Sequence, residues 1–381
     1  MYDVLIVGAG PAGAMAAWEL AGQGASVLIV DKAAFPRDKV CGCCLNRTAL
    51  GVLEQAGLGQ FIARLNAPQL NLLHITDGRR TATAALPGGV ALSRSAFDQA
   101  LVQQAVQRGA AFRDNTHAAL LEHASACPHV ALRSGSEHWT VQARVLIVAD
   151  GLGGHLLDQH SAFATRIASR GRIGLGAIAD DHGASYRPGV IYMTCAPGGY
   201  LGLVRLEDER LNMAAAVDPA FLRRVGTASG AVAQLLERAR WPAPRDLPRL
   251  VWRGTPTLMR TRRPAAAGRI FLVGDSLGYV EPFTGEGMAW ALASGRAVAK
   301  PAFQAITHDS PALALQWDRT AGRLLRVGHW RCRMVAWALR RPRLVNSALR
   351  WADWAPHAAG RIAANFSRLD AARATAACHS L

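Results

Sequence analysis

The stretch Asp3-Val-Leu-Ile-Val-Gly-Ala-Gly-Pro-Ala-Gly13 constrains this chain more than any other. Residues 4–7 read as a short buried strand, and Gly8, Gly10 and Gly13 then occupy the three glycine places of G-x-G-x-x-G. The first glycine allows a tight turn, the second lets bare backbone approach a phosphate, and the third lets the following helix pack on the sheet. Pro11 suits the first helical turn, where its missing N–H costs little. The helix then runs over 11–23, with Met15, Ala16 and Leu20 at helical spacing and Gly24 as its stop. A second strand over 26–30 ends in Asp31, about 20 residues after the glycines, where an acidic side chain accepts hydrogen bonds from a ribose. Strand, turn, helix, strand and acid together predict a site for a dinucleotide.

At 381 residues, half of them hydrophobic, the chain is long enough for two domains or one large one with an ample core. The pattern is globular and not that of a disordered chain. A formal charge of +16 speaks to partners and solubility, not to fold. Seven cysteines, three of them at Cys41, Cys43 and Cys44, do not form a secreted disulfide framework in a chain of this length and spacing, so a reducing cytoplasm is expected. The first strand begins at the second or third residue, which reads as leaving no room for a cleavable signal. No run of about 18 uninterrupted apolar residues offers a spanning helix.

Residues 32–44 show no helix or strand period. Asn46 or Thr48 opens a helix that stops at Gly57. Residues 70–86 read as a hairpin folded at Asp77-Gly78. Ser95 and Asp98 form a capping-box-like pair at the head of a helix whose apolar face is Phe97, Leu101, Val102 and Val106. Strands follow to Arg144-Val-Leu-Ile-Val-Ala-Asp-Gly151, a second buried strand that delivers an acid and a glycine where open α/β sheets bind ligands. Residues 190–195, 200–206 and 211–217 form a mostly antiparallel block, followed by one amphipathic helix over 219–240 and a proline-marked connection. A third buried strand, Arg269-Ile-Phe-Leu-Val-Gly-Asp275, leads through residues 276–288 into a small-residue helix over 289–300. Three helical segments rich in Arg and Trp then run to the C-terminus.

Three buried strands ending in Gly/Asp pairs, spread over the three thirds of the chain, predict an α/β fold with one Rossmann-like cofactor domain built from discontinuous segments, 1–68, 92–165 and 265–305. Residues 69–91 and 166–264 are then an inserted, mostly antiparallel substrate domain, and 306–381 a C-terminal helical region.

The sequence resembles the flavoproteins that share the p-hydroxybenzoate hydroxylase fold, most closely their geranylgeranyl reductase branch, to which the flavin-dependent halogenases are related. Three motifs carry the resemblance: Gly8-Ala-Gly-Pro-Ala-Gly13 with Asp31, Phe35-Pro-Arg-Asp-Lys-Val-Cys-Gly42, and Gly274-Asp-Ser-Leu-Gly-Tyr-Val-Glu-Pro-Phe-Thr-Gly-Glu-Gly287. The resemblance implies FAD. It assigns Gly8, Gly10, Pro11, Ala12, Gly13 and Asp31 to the ADP end, and Lys32, Arg37, Cys41, Gly42 and Cys43 to a loop of which Gly42 and its neighbours pass close to the isoalloxazine. It places Arg94 at the phosphates or adenine side, Ala118 beside the adenine through its backbone, and Asp150-Gly151 at the Asp-Gly motif of the hydroxylases. Gly274, Asp275, Pro282, Gly285, Gly287 and Met288 form the flavin end. There Asp275 accepts from ribitol hydroxyls, and a helix N-terminus favours the negative charge of a reduced flavin.

The chain departs from this pattern in places. Leu152-Gly-Gly-His155 lacks the serine and arginine that usually follow Asp-Gly, and there is no second dinucleotide fingerprint, so NAD(P)H is expected at most as a transient electron donor. Cys41 and Cys44 have C-x-x-C spacing without a second pair or a histidine at zinc spacing, so no metal is expected. The cysteines read either as small residues lining the ring or as a thiol that contacts substrate or flavin, Cys41 or Cys43 being the candidate. The strand Gly199-Tyr-Leu-Gly-Leu-Val-Arg-Leu206 lacks the Trp-x-Trp-x-Ile-Pro signature of the halogenases and the aromatic version of the reductases. Tyr200 and Arg205 are candidates for the cleft, and Tyr200 joins Cys43 as a candidate catalytic residue. His74 and His117 are further candidate proton donors. For the C-terminal arginines a solvated basic face with Trp330, Trp337, Trp351 and Trp354 turned inward is expected. The alternative is a dock for an acidic carrier protein or an anionic membrane. No nucleic-acid module accompanies the charge.

These readings converge on a cytoplasmic FAD-dependent oxidoreductase, peripheral to a membrane in the second of those cases. It acts on a small apolar or aromatic substrate, free or carrier-bound, by dehydrogenation or double-bond reduction. Aromatic hydroxylation is the second reading. A flavin-binding protein that docks to a carrier or membrane without turnover is the alternative of another class, and a plain NAD dehydrogenase the third.

Overall fold

The computed structural model describes residues 1–121, 127–169, 171–181, 183–281, 283 and 285–354; Pro282 and the part of the C-terminal region beyond residue 354 lie outside them. Its first layer is a mostly parallel sheet in the order Ala266–Ala267, Ile270–Leu272, Glu137–Val148, Tyr2–Val7, Val27–Val30, Ala111–Arg113. The central strands are continuous Val/Ile/Leu runs because the sheet is buried and leaves no wet face. Their register brings Val7, Val30, Val148 and Leu272 level, so the three turns expected to bind cofactor leave the sheet side by side. The ladder continues past the strand ends, where Gly8 N–H donates to the Val30 carbonyl (2.8 Å) and Ala149 N–H to that of Val7 (2.8 Å).

Helix Pro11–Gly22 packs between Arg94–Gln107 and Gly287–Ala297. The approach to the latter is close enough that a Cβ on Gly295 would overlap the Ala12 carbonyl. Helix Arg94–Gln107 is capped by Ser93, whose Oγ accepts from Ala96 N–H (3.1 Å), not by the expected Ser95–Asp98 pair. Asp98 is buried and committed to arginines instead.

The second sheet runs Arg253–Thr257, Ile173–Ala179, Leu211–Val217, Gly199–Arg205, Val190–Ala196, Leu72–Thr76, Thr81–Ala85. It is antiparallel except where Val190–Ala196 meets Leu72–Thr76. The hairpin at its edge turns at Asp77-Gly78, with Gly78 at φ +87°. The helix expected over 219–240 is two, Pro219–Val225 and Ala228–Ala239. Gly226 at φ +91° ends the first, and Thr227 caps the second by accepting from Gly230 N–H (3.0 Å). The helix expected over 289–300 likewise divides into Gly287–Ala297 and Ala299–Thr307. A three-stranded sheet of Ala164–Ile167, Met259–Arg263 and Gly278–Val280 joins the layers.

Two C-terminal helices follow, Pro311–Leu339 and Pro342–Trp354. Trp317 is fully buried and donates its indole N–H to the Leu272 carbonyl (3.0 Å), which ties the long helix to the parallel sheet. The expectation of inward tryptophans fails elsewhere: Trp330, Trp337 and Trp351 are 61, 48 and 42 % exposed. Among the described residues no helix is long and apolar enough to cross a membrane.

Candidate functional site

The glycine turn is shaped by what cannot stand there. A Cβ on Gly8, which sits at φ +108°, would overlap the Ala149 carbonyl, and one on Gly13 would overlap the Gly8 carbonyl. Gly10 differs: the nearest atoms to its Cβ position are Nη2 of Arg94 at 3.7 Å and Nη2 of Arg37 at 3.8 Å. That spot lies at the open N-terminus of helix Pro11–Gly22, which has no side-chain cap and no acidic residue in its first turn. Free N–H groups and two guanidinium groups around one backbone position form a cradle for a diphosphate.

Asp98 holds both cations in place. It takes Arg94 bidentately (2.9 and 2.7 Å) and Arg37 at 2.9 Å, so one fully buried carboxylate fixes both guanidiniums beside the turn. Asp31 accepts from Ala9 N–H (2.9 Å) and Ala33 N–H (3.0 Å) and meets Arg37 at 3.4 Å, which fixes both the glycine turn and the start of the next loop.

A cleft of about 960 Å³ runs from this turn. Asp31, Lys32 and Arg37 line one end, the strand His117–Leu121 with Ala118 lines a wall, and Asp150 and Leu152 lie farther on. A second cavity of about 370 Å³ shares Asp38, Lys39, Val40 and Arg253 with the first and continues past Cys41, Cys43 and Arg94 to Asn212. Lys39 reaches across: its Nζ is 2.8 Å from the Cβ position of Gly151. The motif around Phe35 contained Lys39, but nothing in its spacing showed that the loop folds back over the Asp-Gly turn.

Asp150 lines the large cleft, and its carboxylate is held from the protein side. It accepts from the Ser276 hydroxyl (2.8 Å) and from Leu156 N–H (3.2 Å), while Ser276 Oγ accepts from Gly151 N–H (3.0 Å). Asp150 thus ties two strand-end turns together, and its backbone and Gly151 remain to face the cleft. Asp275 is half-buried; burial pushes its carboxyl up, against the pull of Lys39 and Arg94. Gly274, at φ +60°, has Ala12 Cβ only 2.8 Å from its own Cβ position, so Ala12 serves helix packing. Gly285 at φ +73° precedes helix Gly287–Ala297, which again begins without a side-chain cap or an acid in its first turn. Met288 points into the core, so what it offers a ligand is its backbone.

Cys43 is buried at φ +55°. Its N–H donates to Cys41 Sγ (3.3 Å), and its thiol also donates there, which with the Arg94 guanidinium lowers Cys41 to about 6. The same hydrogen bond and burial push Cys43 well up. Cys41, not Cys43, is therefore the thiol held ready to ionise. Cys44 donates to the Gly42 carbonyl (3.1 Å), and Asn212 donates to the Cys41 carbonyl (3.1 Å), which anchors the loop to the second sheet.

Tyr200 is not brought to these cysteines. It lines neither cavity and packs with Leu152, Met193 and Leu258, its ring edge-on to Phe283 at 5.1 Å and under the Arg172 guanidinium at 5.5 Å. Burial and the neighbouring Glu281 push its hydroxyl up. Arg172, also buried, pairs with Glu281 (2.8 Å) and Asp218 (3.3 Å). Arg205 donates to the carbonyls of Tyr186, Asp181, Gly183 and Glu209, a purely architectural task. His117 lines the large cleft, whereas His74 packs on Tyr192 in the other sheet.

The family model described as FAD binding domain matches residues 1–300. Menaquinone reductase of Mycobacterium tuberculosis is 29 % identical over 335 residues, 83 % of this chain and 78 % of the relative. Digeranylgeranylglycerophospholipid reductase 1 of Methanopyrus kandleri is 29 % identical over 327 residues, 81 % and 82 % respectively. A third relative, conditioned medium factor receptor 1 of Dictyostelium discoideum, is 24 % identical over 342 residues, and the chain spans only 64 % of its length. In fold, the chain matches a triple mutant of the flavin-dependent brominase Bmp2 (TM-score 0.78, 15 % identity, 99 % and 95 % covered). It also matches a geranylgeranyl bacteriochlorophyll reductase-like protein of Thermoplasma acidophilum (TM-score 0.75, 21 % identity, 89 % and 88 % covered). The chain belongs to the family of the FAD binding domain and is an FAD-dependent oxidoreductase.

Proposed function

We propose that this enzyme reduces or dehydrogenates a carbon–carbon double bond in an apolar, isoprenoid-like substrate. The observation that carries the reading is the loop of Asp38, Lys39 and Val40, which forms a common wall of the large cleft and of a smaller cavity bordered by Cys41 and the second sheet. In this arrangement the Gly8–Gly13 turn, Arg37 and Arg94 hold the diphosphate of FAD, and Asp31 and the strand with Ala118 border its adenosine. Asp275, Gly285, Gly287 and the backbone at Met288 hold its flavin end. FAD, when bound, supplies two-electron chemistry.

The protein residues orient, exclude water and place protons. The uncapped start of helix Gly287–Ala297 favours negative charge at that end of the site. Cys41 is a proton-accepting group on the cavity wall, its thiol held low by the Cys43 thiol and the Arg94 guanidinium. The two named reductases support an isoprenoid-like substrate, since one is named for a menaquinone and the other for a digeranylgeranyl glycerophospholipid. NAD(P)H enters this reading only as a transient electron donor.

The halogenase fold favours a second reading, an oxygen-dependent reaction on an aromatic substrate. One experiment separates them. Holoprotein reduced with one equivalent of dithionite is mixed anaerobically with a geranylgeranyl lipid, which has no other group that accepts two electrons. Return of oxidised-flavin absorbance with a product altered by two hydrogens supports the proposal. Absence of reoxidation without oxygen, with labelled oxygen entering an aromatic product, overturns it.

A further inference from the structure

The outer face of helix Pro311–Leu339 carries a pattern that the cofactor site does not use. Arg319, Arg323, Arg326, Trp330, Arg333, Met334 and Trp337 recur at three- and four-residue steps and so share one stripe. All seven side chains are exposed, whereas Ala314, Trp317, Ala321, Leu325 and Ala336 on the opposite side are buried. The helix has a single acid, Asp318, and this is occupied by accepting from Ala265 N–H (2.7 Å). Among the described residues the salt bridges do not include Arg319, Arg323, Arg326 or Arg333. Arg341 extends the stripe with its guanidinium 3.7 Å over the Trp337 ring, and Arg343, Leu344, Arg350 and Trp351 stand exposed on the next helix.

A helix facing water mixes charge signs and keeps large rings inside; this one sets indoles and a thioether among cations of one sign. We propose that this face docks the enzyme on an anionic lipid bilayer, with Trp330, Met334 and Trp337 at headgroup level and the arginines on lipid phosphates. The formal charge of +16 acts in the same direction at longer range. A second copy of the chain does not fit the face, because two such stripes would set arginine against arginine. The inference stands on the helix face and is independent of the reaction assigned above. It adds a consequence to that reaction: Leu339 and Val345, at the junction of the two helices, pack on the Tyr200–Phe283 cluster, so the bilayer face and the apolar interior belong to the same pair of helices.

The test is flotation of full-length holoprotein with vesicles of phosphatidylcholine alone or with phosphatidylglycerol. Binding is expected only to the anionic vesicles and to weaken with salt. Replacing Arg326 and Arg333 by glutamine lowers the partition coefficient about fivefold each. Trp330→Ser with Trp337→Ser lowers it further, and retained flavin absorbance and an unchanged melting curve show that each variant is folded. Failure to bind anionic vesicles, equal binding to neutral ones, or binding that these substitutions leave unchanged overturns the proposal. So does a stable wild-type dimer in which acrylamide cannot quench Trp330 and Trp337.

Discussion

The parallel and the antiparallel sheet of this enzyme use polar and small residues in opposite ways. In the parallel sheet function lies in backbone that glycine leaves bare, at Gly8, Gly10 and Gly13. In the antiparallel sheet the conspicuous charges are consumed inside the protein: Arg205 serves four carbonyls, and Arg172 is locked to Glu281 and Asp218. The difference teaches that a buried charge signals chemistry only when its hydrogen bonds are left open to a cavity.

The largest effects should separate the two regions by their glycines. Gly8→Ala places a Cβ against the rigid Ala149 backbone at φ +108°, and should cost more than about 4 kcal/mol, the upper end for single substitutions. Gly202→Ala in the other sheet meets only Met193 Sδ at 2.8 Å, a flexible side chain that can give way, and should cost about 1 kcal/mol. Denaturant melts of both variants check this, and equal losses would break the comparison.

Next come the ion pairs. Asp98→Ala strands the buried Arg94 and leaves Arg37 with Asp31 alone, and should cost about 3–5 kcal/mol, whereas Asp218→Ala, at a carboxylate one-third exposed, should cost about 1 kcal/mol. The same melts decide. Arg94→Lys keeps a charge but loses the fork that grips Asp98 and faces Gly10, so FAD affinity measured by fluorescence titration should fall about tenfold. Arg205→Lys should lower stability and leave FAD affinity unchanged.

The thiols give the smallest and sharpest contrast. Cys41, held down to about 6, should alkylate with a midpoint near that pH, whereas Cys195 on the antiparallel sheet, pushed up to about 12 by burial, should stay inert. Cys43→Ala removes the thiol donor and should move the Cys41 midpoint upward. By linkage a thiol with a depressed folded pKa contributes stability that is complete above the unfolded value and disappears as pH falls through the folded one. Stability from Cys41 should therefore rise between about pH 6 and the ordinary thiol value of 9.0. An alkylation profile by mass spectrometry and melts across that window test both statements.

What the sequence made legible follows the same division. Gly8, Gly10, Gly13 and Asp31 were readable because turn geometry permits few alternatives at each position. The Gly78 turn is readable for the same reason, whereas Gly226, which breaks the helix expected over 219–240, has a positive φ but no Asn or Asp beside it to mark a turn. The Arg37–Asp98–Arg94 cluster was not readable, because Arg37 is 61 residues from Asp98 and meets it only once the loop folds on the helix. The capping role passed from Ser95 to Ser93 because Asp98 is drawn away by arginine. Tyr200 and Cys43 looked equally suited to catalysis as residue types; packing alone buries the first among apolar neighbours and makes the second a donor to Cys41. Spacing likewise did not show which way the tryptophans of the long helix face, since Trp317 lies on its buried side and Trp330 and Trp337 stand among arginines on the exposed one.

The central claim is that the open position between Gly10, Arg37 and Arg94 is where the FAD diphosphate lies. Gly10→Ala tests it directly, because a methyl group there meets nothing closer than 3.7 Å and the backbone, at φ −74°, accepts alanine. Titration of the apoprotein with FAD should show affinity lowered about a hundredfold, some 2.7 kcal/mol, while the melting temperature of the apoprotein stays the same. Unchanged FAD affinity in a folded Gly10→Ala protein would contradict the account.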